Sequence, residues 1–238
     1  MFNRILNLRL DKFLSTNNII NNCQIGFTKE ARTSDHMFVL KTIIDQCNAA
    51  NERLFACFVD FQKAFDTVIH TGIKLKLLEI GVGTLFYNII KNMYAASKSC
   101  IKVNNEITDY FETKLGVKQG DNFSPNLFKI FINDLPKYLQ ETPDFVSLNG
   151  RPVHFLMYAD DVILLSKTAA GLQSKIYILN HYCEDWCLNV NTSKTKMLVF
   201  NKAGRHYRLN FKINNVPLES VNEYKYLGIH FCASHSQK

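Results

Sequence analysis

The chain has 238 residues, 47% of them hydrophobic and 21% charged, and Lys plus Arg outnumber Asp plus Glu by 28 to 21. This is the balance of a globular protein with room for one large domain or two small ones. No apolar run approaches a membrane span, and the opening segment, with Arg4 and Arg9 inside an amphipathic pattern, excludes a signal-peptide core. The net charge of +7 favours an anionic partner without naming one.

Taken in chain order, Phe2, Ile5, Leu6, Leu10, Phe13 and Leu14 recur at helical spacing and predict an opening helix, followed by an Asn-rich loop at 17–22. Ser34 is the predicted cap of a helix running through Met37, Leu40, Ile43, Ile44 and Cys47. Arg53 to Asp60 is short and apolar, as a buried strand would be. Helices near 70–80 and 84–96 are separated by Gly81 and Gly83. Asn104-Asn105 signals a hairpin between 101–103 and 107–111. A glycine-bearing loop at 116–120 leads into a helix over about 124–139, with Pro125 in its first turn. A second hairpin is expected from Val153 to Ser166 with its turn at Ala159-Asp160, then a long helix over 169–187 and a strand over 195–200. Short strands around Asn214-Asn215 close the chain, and hairpins with helices packed on one face predict an α+β fold.

The seven cysteines are odd in number and several lie in apolar runs, which suits free thiols in a reducing compartment. His181, Cys183 and Cys187 cluster in sequence, but no CxxC pair completes a zinc site. The protein is expected to be soluble and intracellular, with nucleus and cytoplasm undistinguished.

Three carboxylates carry chemistry. Asp60 closes an apolar strand, and Asp160 and Asp161 sit at a hairpin tip between Phe155-Leu156-Met157-Tyr158 and Val162-Ile163-Leu164-Leu165. Adjacent aspartates in such a setting repel one another and resist desolvation unless a cation is present, and oxygen ligands of this kind suit Mg²⁺. A solvated turn is the plainer alternative for the pair alone.

The order of segments adds to this. Gln24-Ile25-Gly26-Phe27, Phe58-Val59-Asp60-Phe61-Gln62-Lys63-Ala64-Phe65-Asp66, Gly116-Val117-Lys118-Gln119-Gly120-Asp121, Ser124-Pro125, Phe131-Ile132-Asn133-Asp134-Leu135, Tyr158-Ala159-Asp160-Asp161, Asn191-Thr192-Ser193-Lys194-Thr195-Lys196 and Tyr224-Lys225-Tyr226-Leu227-Gly228 follow one another along nearly the whole chain. Together they resemble the reverse transcriptase family, and within it the enzymes of non-LTR (LINE-type) retrotransposons. The resemblance implies the fingers-and-palm part of a right-hand polymerase, with fingers at about 1–52 and 67–115, palm at about 53–66 and 116–223, and a primer-grip hairpin at about 224–231. It further implies a chain cut short at both ends, without thumb or endonuclease.

By that resemblance Asp60, Asp160 and Asp161, with the backbone carbonyl of Phe61, would hold two Mg²⁺ ions, Mn²⁺ being a possible substitute. One ion would serve the primer 3′-hydroxyl and the other the leaving pyrophosphate. The ring of Phe65, five residues after Asp60, would exclude a 2′-hydroxyl, although a core phenylalanine reads the same. Gln119 and Gly120 would line the nucleotide pocket, or form an ordinary turn. Lys194 is a candidate general acid, or a solvated lysine. Tyr224, Lys225, Tyr226, Leu227 and Gly228 would grip the primer end, or form an aromatic-rich edge strand. Lys29, Arg32, Lys98, Lys102 and Lys114 are candidate phosphate contacts or ordinary surface charges. Cys187 stands where many relatives have glycine. The implied partners are an RNA template, a DNA primer and deoxynucleotides, with no membrane.

Two classes of function follow: an RNA-directed DNA polymerase, or a relic that folds or binds nucleic acid without catalysis. Group II intron maturases, telomerase and viral RNA polymerases share parts of the pattern. Phe65 argues against the RNA polymerases, and the segments at Gln24 and Gly116 lean to the retrotransposon.

Overall fold

Leu54–Val59 is buried at every position, as a continuous apolar run between two covered sheet faces should be. In the computed structural model, which describes residues 2–27, 32–95, 97–118 and 120–233, this strand is the middle of a five-stranded sheet. The order is Glu219–Ser220, Lys196–Phe200, Leu54–Val59, Asp161–Ser166 and Phe155–Tyr158. Neighbours are antiparallel except the Lys196–Phe200 and Glu219–Ser220 pair, which is parallel.

One face of the sheet carries Ala56, Phe58, Leu156, Ile163, Leu165, Leu198 and Phe200. They pack with Leu40, Ile43, Ile44 and Cys47 of the Thr33–Ala49 helix and with Tyr226 and Phe231 of a separate hairpin, Glu223–Tyr226 with Ile229–Cys232. The opposite face takes the Ala169–Asp185 helix, whose Thr168 cap accepts the Gly171 N–H.

The chain forms two compact units: Met1–Ile20 with Lys63–Ile132, and Asn21–Gln62 with Asn133–Lys238. The second holds the large sheet. The first contains the helices Phe2–Thr16, His70–Glu79, Thr84–Ala95 and Ser124–Phe131, and the short hairpin Lys102–Val103 with Glu106–Ile107, turned by left-handed Asn104 and Asn105. These borders group 21–52 with the large sheet and 116–132 with the helices, a different division from the finger and palm ranges above.

Local expectations need three corrections. Ser34 lies inside its helix: the capping position is Arg32, whose backbone N–H donates to the Asp35 carboxylate at 2.8 Å. The helix expected over 124–139 is two, Ser124–Phe131 and Leu135–Gln140. Pro136 has no N–H to give the Ile132 carbonyl, so one continuous helix would leave that carbonyl without its bond. Val153 belongs to an additional hairpin, Val146–Leu148 with Arg151–Val153, turned by left-handed Asn149 and Gly150. Among the described residues no helix is long and apolar enough to cross a membrane.

Candidate active site

The strand register brings the carboxylates together. Val59 pairs with Val162 and Tyr158 with Asp161, so Asp60 and Asp161 are opposite one another just past the end of the ladder, with Asp160 in the two-residue turn. Side chains alternate faces along a strand. Counting by twos from Phe58 and Ile163 places Asp60 and Asp161 on the face that also carries the Glu223–Tyr226 hairpin.

All three carboxylates are half-buried. Burial raises the pKa of Asp160 above the usual carboxylate range, and the charge of Asp60 adds to it. Asp161 is pushed up to about 6, first by burial and then by Asp160 and Asp60. The charges reach the neighbouring ring: burial, then Asp60 and Asp161, raise the Tyr224 phenol. This concentration of unneutralised negative charge is what a divalent cation relieves. Among the described residues no group of three or more His, Cys, Asp or Glu side chains is arranged to hold a metal ion. Carboxylate oxygens are the ligand type that hard divalent cations take, the rest of the shell being water and phosphate oxygens.

Asp60 is held through its backbone. Its N–H donates to the Thr195 hydroxyl at 3.2 Å, and its carbonyl accepts the Asn191 N–H at 2.7 Å. The Gln62 N–H donates to the Asn189 carbonyl at 2.7 Å, so Phe61 bridges Val190 as the pair without mutual hydrogen bonds. In that geometry the Phe61 carbonyl is directed away from Val190. Sequence reasoning singled out Lys194 and passed over Thr195; the latter is buried, and its hydroxyl at the start of an apolar strand was the available signal.

Lys194 itself is exposed, and its N–H donates to Asn191. Tyr224 stacks on Phe58 with ring centroids 4.6 Å apart, and Tyr226 lies 5.6 Å from the same ring. The Tyr226 hydroxyl is 3.1 Å from His36 Nδ1. Leu227 and Gly228 form the left-handed turn of that hairpin, and Lys225 is exposed. His36 also went unremarked, though it falls on the buried stripe of its helix, one turn before Leu40.

Phe65 and Gly120 belong to the other unit. There the Val117 N–H donates to the Phe65 carbonyl at 2.8 Å, which joins the 116–120 loop to the Phe65 segment, and the Phe65 ring stacks on Phe128 at 4.6 Å. Gly120 is exposed with φ of 82°. Gln119 and Lys29 lie outside the described residues. Lys98, Lys102, Lys114 and Arg32 are exposed. All seven cysteines are free, and His181 faces Glu184 at 3.4 Å.

Comparison with known proteins bears on the family and the fold. Residues 1–231 match the reverse transcriptase (RNA-dependent DNA polymerase) family. The chain is 28% identical over 237 residues to a probable RNA-directed DNA polymerase from transposon BS of Drosophila melanogaster, covering 96% of this chain and 26% of that protein. It is 24% identical over 237 residues to a retrovirus-related Pol polyprotein from a type-1 retrotransposable element R2 of Nasonia vitripennis, covering 96% and 23%. Among solved structures, an apo telomerase from Candida Tropicalis truncated from its C-terminal domain aligns with a TM-score of 0.60 at 16% identity, over 97% of this chain and 43% of that one. That last likeness is one of fold, the fingers and palm of a right-hand polymerase. The chain spans about a quarter of the length of the curated relatives it matches. A match over nearly all of its residues places this chain in the reverse transcriptase family, among the sequences borne by non-LTR retrotransposons.

Proposed function

We propose that this chain is the catalytic core of an RNA-directed DNA polymerase that adds deoxynucleotides to a primer 3′-hydroxyl along an RNA template. The observation that carries this reading is the convergence of Asp60, Asp160 and Asp161 at one end of the central strands, where burial and then neighbouring aspartate charge raise the pKa values of Asp160 and Asp161. Asp60, Asp160 and Asp161, with the Phe61 carbonyl, are the residues that would hold divalent ions. When bound, such ions supply Lewis acidity at the attacking 3′-oxygen and at the leaving pyrophosphate.

The protein's own part is placement. Thr195 and Asn191 hold the Asp60 backbone, and the Tyr224–Gly228 hairpin offers a surface beside the carboxylates for the primer end. Phe65 selects deoxynucleotides, its ring kept in place by Phe128. Gln119 and Gly120 line the nucleotide pocket in this reading, and Lys194 supplies a positive charge for pyrophosphate.

The test is primer extension on poly(rA)/oligo(dT) with Mg²⁺. The chain is expected to extend the primer, and Asp160→Asn to lower the rate by at least about a thousand-fold while the fold survives. Full activity in that variant would remove the aspartates from the chemistry. Phe65→Ala is expected to narrow the preference for deoxynucleotides over ribonucleotides by about ten-fold or more, measured as a ratio of kcat/KM values. An unchanged ratio would take Phe65 out of the selection step.

A further inference from the structure

The Gln24–Phe27 segment has no part in the chemistry above, yet it closes on the residue before Asp160. Ala159 has φ of 56°, a left-handed conformation in which its Cβ is crowded and which alanine rarely adopts unaided. Both of its backbone polar groups are taken by one side chain. Gln24 Nε2 donates to the Ala159 carbonyl at 3.0 Å, and Gln24 Oε1 accepts the Ala159 N–H at 2.9 Å. The same Oε1 accepts the Gly26 N–H at 3.1 Å. A primary amide offers a donor and an acceptor side by side without having to be protonated first. Gln24 is 2% exposed, so water does not replace those bonds.

The backbone repeats the grip. Gln24 bridges Met157 in parallel, and the Ile25 N–H donates to the Met157 carbonyl at 3.2 Å. Gly26 is the point of closest approach: a Cβ there would lie 2.1 Å from the Ala159 nitrogen. The Ala159 carbonyl belongs to the peptide plane that contains the Asp160 nitrogen, so pinning that carbonyl orients the first aspartate of the pair.

We propose that Gln24 is a positioning residue for the metal-binding turn: it locks the left-handed Ala159 peptide so that Asp160 and Asp161 face Asp60, and Gly26 is glycine because the turn must sit against its backbone. The proposal rests on the two-metal reading above. Gln24 touches no metal and acts only through Ala159.

The test uses the 238-residue chain and Mn²⁺ alone, with binding read by electron paramagnetic resonance, so that no catalysis is needed. Wild type is compared with Asp160→Asn, Gln24→Met and Gly26→Ala. Gln24→Met keeps the length of the side chain but removes the amide. Asp160→Asn is expected to abolish the tight Mn²⁺ step. Gln24→Met is expected to weaken it about ten-fold, the size of effect seen when a residue supporting metal ligands is lost. Amide hydrogen exchange is expected to quicken at Ala159 and Asp160 while Cys57, in the central strand, stays protected.

Mn²⁺ affinity equal to wild type in a folded Gln24→Met chain would overturn the proposal and leave the two-metal reading standing. So would a loss of protection equal at Cys57 and Ala159, which marks a purely structural residue. If Gln24→Met does not fold, Gly26→Ala is judged on the same two criteria. A wild-type chain with no Asp160-dependent Mn²⁺ binding would overturn both readings.

Discussion

At the scale of single residues, the chain is informative where a side chain contradicts its setting. Asp160 and Asp161 were legible because two adjacent acids between apolar strands are costly, and the structure keeps that conflict in their raised pKa values. Cys187 is a second contradiction. It follows the Ala169–Asp185 helix with φ of 55°; its N–H donates to the Glu184 carbonyl at 3.4 Å, and the next N–H, that of Leu188, donates to the Cys183 carbonyl at 2.8 Å. This is the paired-bond helix ending that favours glycine at its left-handed residue. Cys187→Gly is therefore expected to raise stability by up to about 1 kcal/mol, the steric relief exceeding the added chain entropy. Urea denaturation would check it, and a lower midpoint would mean that the exposed thiol makes a contact worth more than the strain. Gln24 illustrates the reverse: nothing in its own neighbourhood points to Ala159, which is 135 residues away.

At the scale of elements, register does most of the placing. A two-residue turn between paired strands fixes which aspartate faces the central strand, and that followed from the hairpin signal at Ala159-Asp160. The turn over 191–195 could not be read in the same way, because its role is to accept a bond from a strand far earlier in the chain. Thr195→Val is expected to cost about 1–2 kcal/mol by removing the partner of the Asp60 N–H, with Thr195→Ser restoring most of it. Equal urea midpoints for all three proteins would show that water takes the hydroxyl's place. The hairpin over 146–153 was missed although Asn149-Gly150 is as strong a turn signal as Asn104-Asn105. Its strands are three residues each, too short for alternation to show. The split helix at Ile132–Asp134 was hidden because the apolar spacing runs on through Pro136.

At the scale of the whole molecule, the buried polar groups set how the fold responds to acid. His36 is 3% exposed, and burial lowers its pKa from 6.5 to about 4. Between those values the unfolded chain binds a proton that the folded chain refuses. Stability contributed by neutral His36 is thus fully present above pH 6.5 and is lost as pH falls toward 4, by at most about 3 kcal/mol. Asp161, with its raised pKa, acts in the opposite direction over part of the same range. The difference between the wild type and His36→Gln isolates the histidine: the variant is expected to show a shallower fall in thermal midpoint from pH 6.5 to pH 4.5. Parallel curves would mean that His36 is protonated within the fold. The α+β class and the order of elements were legible at this scale because period-two and helical patterns are local. The grouping of segments into two compact units was not, since the borders at 20, 62 and 132 carry no change of composition.

The Phe155–Tyr158 strand is the outermost of the five on its side of the sheet. Such a strand presents a row of unmatched amides and carbonyls to which a foreign strand can add, the first step of many aggregation routes. The Gln24–Ile25 backbone lies along that rim at Met157 and uses its carbonyl. The segment that steadies the acidic turn therefore also acts as a guard on the border of the sheet, where accidental pairing between copies of the protein would otherwise begin.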